Sequence, residues 1–192
     1  MSTSDTKNTA GPYTTLLDRL PLTLEDVKAE WLTALLANKY PGIIVNLFEV
    51  VDVINSHTTK LRLKLYLNEV ARAAGIPEHV CLKSNWSHGF ESGDICELEA
   101  RFYYLMRDSL NAPVPESFYA DWDGDGSGRG IVVMEDLGVT AGEFGNSTHH
   151  LGVEGVAESL ESLAVLHAAL WGSSVLDKQA WLHRSMDTPV DS

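Results

Sequence analysis

Val80-Cys81-Leu82-Lys83, followed after a loop by Asp94-Ile95-Cys96-Glu97-Leu98-Glu99-Ala100-Arg101-Phe102-Tyr103-Tyr104-Leu105-Met106-Arg107-Asp108, is the stretch on which the fold turns. The first piece reads as a short apolar strand carrying a lysine, the second as a helix from about Asp94 to about Asp108. At about 100° per residue, Ile95, Phe102, Tyr103 and Met106 fall within about 60° of Glu99 around the helix axis. That puts a carboxylate in an apolar stripe, whereas Glu97 and Arg101 fall on the opposite face at the spacing of an ordinary solvated ion pair. A buried acid calls for a cation, because an unpaired buried charge is expensive. Lys83 is the nearest upstream candidate on a strand. The alternative is that Glu99 marks a ragged edge of the stripe.

Outward from there the chain reads as an α+β fold. Upstream, Thr23 and Asp26 resemble a capping box, and Leu24, Val27, Trp31 and Leu35 follow at helical spacing until Pro41-Gly42. Ile43 to Ile54 is rich in Val and Ile and is expected to be a strand. Lys60-Leu61-Arg62-Leu63-Lys64-Leu65-Tyr66-Leu67 alternates without a break, and the polar turn Asn55 to Thr59 between the two makes a hairpin. Residues 68 to 78 read as a short connection. Asp94 and Glu97 form a second capping pair. Downstream, Ser117 to Trp122 and Gly130 to Met134 read as two strands around a Gly/Asp turn. A long helix from about Gly152 to Trp171 carries Val153, Val156, Leu160, Leu163, Leu166 and Leu170 on one stripe. Residues 1–22 read as a flexible tail.

The 192 residues include 14 Lys plus Arg against 27 acids, for a net charge of −13. That balance argues against nucleic acid and against an anionic membrane surface as partners. No stretch approaches the roughly 18 apolar residues of a membrane span, and the polar Met1 to Pro12 does not read as a signal peptide. Cys81 and Cys96 offer neither a disulfide framework nor metal-ligand spacing, and suit reduced thiols in a cytoplasmic protein.

Several local patterns carry less than they suggest. Asp121-Trp122-Asp123-Gly124-Asp125-Gly126 copies the opening of a calcium loop, but the twelfth position, where a glutamate is required, is Val132. A hairpin turn accounts for it better. His149-His150 has no third ligand at recognisable spacing, and His167 is expected to be a packing histidine. Neither a phosphate-binding glycine loop of the Walker type nor a nucleophile elbow is present.

The order of parts is hairpin, lysine strand, helix with inward glutamate, two strands, acid-tipped crossing and long helix. On Val80-Cys81-Leu82-Lys83, Glu99-Ala100-Arg101-Phe102-Tyr103, Val133-Met134-Glu135-Asp136-Leu137 and Leu163-Ala164-Val165-Leu166-His167-Ala168-Ala169-Leu170-Trp171, the chain resembles kinase-like small-molecule phosphotransferases. The likeness is to the choline-kinase-like and ecdysteroid-kinase-like branch related to aminoglycoside phosphotransferases. It implies a kinase-like N-terminal lobe over 23–137, a five-stranded antiparallel sheet plus a helix, with a hinge at 134–137. Residues 138–192 would be a linker and the first helix of a second lobe.

The resemblance further implies ATP and Mg2+ as cofactors and a small-molecule alcohol as acceptor. Lys83 would contact the α- and β-phosphates and Glu99 would hold it. The Glu135 carbonyl and the Leu137 N–H would meet the adenine edge. The turn Asn55 to Thr59 occupies the place of the nucleotide-covering loop; it has no glycine, and the hydroxyls of Ser56, Thr58 and Thr59 would substitute. The family's catalytic loop carries His-x-Asp and then an Asn, supplying the base and metal ligands. No His in this chain is followed two positions later by Asp; His183-Arg184-Ser185 is the nearest late candidate, and it fails with Ser185 where the Asp should be. The expectation is therefore the front part of a longer enzyme, inactive as it stands, whose exposed 153–170 helix promotes self-association. The competing reading is a non-catalytic nucleotide-binding or interaction module on the same lobe.

Overall fold

The computed structural model describes residues 20–86, 94–110, 113–140 and 151–182. Its centre is a five-stranded antiparallel sheet, β1 (Val45–Asn55), β2 (Thr59–Leu67), β3 (His79–Ser84), β4 (Ser117–Trp122) and β5 (Gly130–Glu135), in the order β1-β2-β3-β5-β4. The strands expected from the alternation are all present, within about two residues of their expected ends.

One face of the sheet is covered by α1 (Ala29–Lys39). Leu32, Leu35 and Leu36 of that helix meet Leu61, Leu63, Leu65 and Leu67 of β2, with Val80 and Leu82 of β3 and Ile131 and Val133 of β5. Burying each such leucine is worth roughly 1.5–3 kcal/mol, which makes this the main core. The Thr23–Asp26 pair forms as expected, with the Thr23 N–H donating to Asp26 at 2.9 Å, but it caps a single 3-10 turn, Leu24–Asp26, and α1 begins only at Ala29. The expected tail is docked at its end: Leu20 and Pro21 are buried, and the Trp86 indole N–H donates to the Pro21 carbonyl at 2.9 Å. The connection after β2 contains a short helix that periodicity did not reveal, α2 (Glu69–Ala73). Asn68 caps it by accepting the Ala71 N–H.

On the other face, α3 (Ile95–Leu105) packs against β4 and β5 through Ala100, Tyr103, Ala120, Trp122, Val132 and Met134. Its buried arc is centred near Ala100, about 100° round from Glu99. Two expectations fail here. Ile95 is exposed, while the supposedly solvated Glu97 and Arg101 are 2% and 3% exposed. Arg101 donates to Glu97 Oε1 at 2.9 Å from Nε and 2.7 Å from Nη2, and its guanidinium lies 4.5 Å from the Trp122 ring centroid. The ion pair tolerates burial because the carboxylate takes two charge-assisted bonds and the cation meets a π face. Asp94 makes no side-chain cap. The Glu97 N–H bonds the Gly128 carbonyl instead, at 3.2 Å, tying the helix start to the β4–β5 turn. Gly130 permits that approach: a Cβ there would collide with the Cys96 carbonyl and the Glu97 Cα.

The calcium-like turn is held from within. Arg129 pairs with Asp123 at 2.7 Å and with Asp125 at 3.5 Å, while Asp121 lies buried on β4, accepting the Tyr119 hydroxyl at 2.8 Å. Past α4 (Leu137–Thr140), the long helix α5 (Gly152–Leu170) buries none of its residues, and α6 (Ser174–Asp177) follows it. Val153 is 88% exposed, and His167, expected to pack, is exposed as well. No helix among the described residues is long and apolar enough to cross a membrane. His149, His150 and His183 lie outside the described residues.

Candidate functional site

Because α3 covers only the β4–β5 side of its face, the same face over β2 and β3 stays open. Strand alternation puts Lys60 and Arg62 of β2 and Cys81 and Lys83 of β3 there. With α3 on one side and residues 134–138 on another, they enclose a cavity of about 670 Å³, within the range of about 300–1,000 Å³ usual for small-molecule sites. Two other clefts in the described chain are near 240 and 230 Å³.

Lys83 and Glu99 meet at the cavity wall. The Lys83 Nζ lies 2.7 Å from Glu99 Oε2 and 2.9 Å from Oε1, and each side chain is 22% exposed. The pairing expected from the inward acid is thus present, although Glu99 sits at the edge of the buried arc rather than in its middle. Partial exposure keeps the pair within reach of a ligand, and both carboxylate oxygens fix the ammonium.

The opposite wall is the segment that follows β5. Asp136 is 2% exposed and accepts the Arg62 Nε–H with both carboxylate oxygens, each at 3.0 Å, and the Gly138 N–H at 3.0 Å. Arg62 also lies 3.8 Å from Asp52 of β1. Glu135 is tied to residue 116: its N–H donates to the Glu116 carbonyl and its Oε1 accepts the Glu116 N–H, both at 2.9 Å. Leu137 lines the cavity and opens α4, so its N–H belongs to a first helical turn, which has no acceptor within the helix.

The three hydroxyl residues of the β1–β2 turn are placed differently from one another. Thr59 is fully buried and lies on the Leu61 face of β2, the face turned away from the cavity, with its hydroxyl donating to Asn55 at 3.0 Å. Thr58 is also buried. Ser56 donates to the Thr58 carbonyl at 3.2 Å and accepts from the Lys60 Nζ at 3.3 Å. Of the turn and its flanks, Ile54 and Lys60 line the cavity. The sequence reading missed Lys60, Arg62 and the bond of Arg62 to Asp136. The unbroken alternation of β2 held the signal for the first two, since it sets all its basic residues on the face opposite its leucines.

Two further titratable groups border the cavity. Burial, aided by the Asp136 charge, pushes the Cys81 thiol up to about 11. Burial and then Glu99 push the Tyr103 phenol up to about 12. Both stay protonated at neutral pH, so neither is a ready base or nucleophile there. What the cavity offers is charge: three cations, two of them held by carboxylates. The same lining carries three acids, Glu99, Glu135 and Asp136.

No protein-family model matches the chain, and no curated protein or solved structure matches it either.

Proposed function

We propose that the sheet, α3 and the 134–137 segment form the nucleotide-binding lobe of an ATP-dependent phosphotransferase that acts on a hydroxyl of a small organic molecule. The observation that carries the reading is the Lys83–Glu99 ion pair, 2.7 Å long, opening onto a cavity bordered by Glu135 and Leu137. The five-stranded antiparallel sheet, with α3 between β3 and β4 along the chain, supports this reading. In this role Lys83 holds the α- and β-phosphates, and Glu99 keeps its ammonium extended toward them. The Glu135 carbonyl and Leu137 N–H take the adenine edge.

The residues fit the phosphates of ATP, since Lys60 and Lys83 both reach the cavity. Among the described residues no three His, Cys, Asp or Glu side chains are grouped to hold a metal ion, and the resemblance puts the Mg2+ ligands in a catalytic-loop pattern that does not occur in this sequence. No step is therefore assigned to a metal, and no side chain here is assigned as the base that accepts the hydroxyl proton.

The test is calorimetric titration of the full chain with ATP. Lys83→Ala is expected to weaken binding about tenfold or more, the loss of a hydrogen bond to a charged group. Glu99→Gln is expected to weaken it less, and Lys83→Ala should melt close to wild type because its side chain is only partly buried. A wild-type chain that binds no ATP would sink the reading, as would a folded Lys83→Ala variant that binds ATP equally well.

A further inference from the structure

Strand β2 sets Lys60, Arg62 and Lys64 on one face of the sheet. Each has a different fate. Arg62 is held by Asp136. Lys64 stands opposite Glu49 in the β1–β2 register, with its ammonium 5.4 Å from the Tyr66 ring centroid. Lys60 has only the Ser56 hydroxyl, at 3.3 Å, and no carboxylate partner among the described residues.

The register places Lys60 directly opposite Lys83. Directly opposed residues in an antiparallel pair hold their Cβ atoms about 4.5–5.5 Å apart, and like charges so placed destabilise a sheet. Two ammonium-bearing side chains thus rise side by side from the cavity floor, and Glu99 compensates only one of them. Their fields overlap in the space between β3 and α3: both lysines pull down the thiol pKa of Cys81 and of Cys96, against the burial that raises each. A like-charge pair with only one counterion costs stability, and an anion bridging the two lysines offsets that cost.

We propose that Lys60 and Lys83 form a two-lysine clamp for a polyphosphate chain, with Lys60 supplying from β2 the contact that the glycine-free turn Asn55 to Thr59 does not provide through its backbone. Ser56 is a positioning residue, fixing the Lys60 ammonium from the turn. The identity of the ligand as a nucleotide rests on the function proposed above; the anion clamp itself does not.

The experiment titrates the full chain with inorganic tripolyphosphate, ATP and adenosine, each at low and high salt. Wild type is expected to bind both polyphosphates, more weakly at high salt. Lys60→Gln is expected to weaken both by about tenfold or more and to flatten the salt dependence, leaving adenosine unchanged. Lys60→Arg should restore most of the affinity, and Lys64→Gln, on the same strand and face, should match wild type. Melting curves confirm that each variant folds. If ATP binds wild type and Lys60→Gln equally, the clamp is overturned and the nucleotide reading stands. If tripolyphosphate binds through Lys60 but ATP binds no better than tripolyphosphate and adenosine does not bind, the clamp stands and the nucleotide reading falls. If wild type binds neither polyphosphate, both fall.

Discussion

Helices α3 and α5 invert the usual relation between composition and burial. α5 is the longer and carries Val153, Val156, Leu160 and Leu163, all exposed, and buries no residue. α3 carries Glu97 and Arg101 in its first two turns and buries both. The difference lies in what each helix meets. α3 has a glycine it can approach, a tryptophan ring to receive its guanidinium, and a turn carbonyl for its Glu97 N–H. α5 has no such surface among the described residues. Burial follows the partner, and apolar content alone does not secure it.

The sharpest way to break that comparison is to remove one half of the buried pair. Arg101→Ala leaves Glu97 without its cation and should destabilise the fold by about 3–5 kcal/mol, read as a lowered denaturation midpoint with unchanged slope. A loss below about 1 kcal/mol would show that the pair behaves as a surface pair does.

A second effect, smaller and pH-dependent, separates the two helices again. Burial first, then Glu99, pushes the Cys96 thiol of α3 up to about 12, and Cys81 of β3 reaches about 11, both from an ordinary 9.0. Tyr103 of α3 reaches about 12 from 10.0. In every case the folded value lies above the unfolded one. As pH rises past about 9, the unfolded chain therefore sheds protons that the folded chain keeps, and stability falls through that window. Denaturation midpoints measured at neutral pH and near pH 10.5 should show the drop, and Cys96→Ala should lessen it relative to its own neutral value. A midpoint flat across that range would mean these groups are open to water.

The smallest effect belongs to α5. Leu160→Ser with Leu163→Ser should change stability by no more than about 0.5 kcal/mol, the range of ordinary surface substitutions. The same pair of changes should lower self-association in sedimentation experiments, since the stripe is the apolar surface removed. A stability loss of core size, about 2–5 kcal/mol per leucine, would place α5 against the sheet and erase the contrast.

Much of the fold was legible because it is local. The alternation from Lys60 to Leu67 specifies a half-buried strand without reference to anything else, and the hairpin follows from its turn. The Lys83–Glu99 contact was legible for a different reason: an acid among apolar residues on a helix has few solutions. What was not legible depended on register or on distant residues. Glu97 and Arg101 have the spacing of a surface pair, and only Trp122 and Gly130, more than 20 positions on, make them a buried one. Lys60 became a site residue only when β2 and β3 were paired. The turn at Asp123 and Asp125 gains its closing cation from Arg129, a residue that a metal-loop template does not consider. Thr59 was read for its hydroxyl without asking which face of β2 it occupies, and the structure buries it on the Leu61 face.

The Glu97 N–H on the Gly128 carbonyl and Arg101 over Trp122 have a kinetic side. A helix fixed at its start to the β4–β5 turn has little freedom to swing outward and carry Glu99 away from Lys83. The Lys83 ammonium is thus held in position by folding itself, its ordering entropy already spent there. If the proposed nucleotide binds there, association would be a single encounter, its observed rate climbing in proportion to ligand concentration without the plateau that a preceding helix rearrangement would impose.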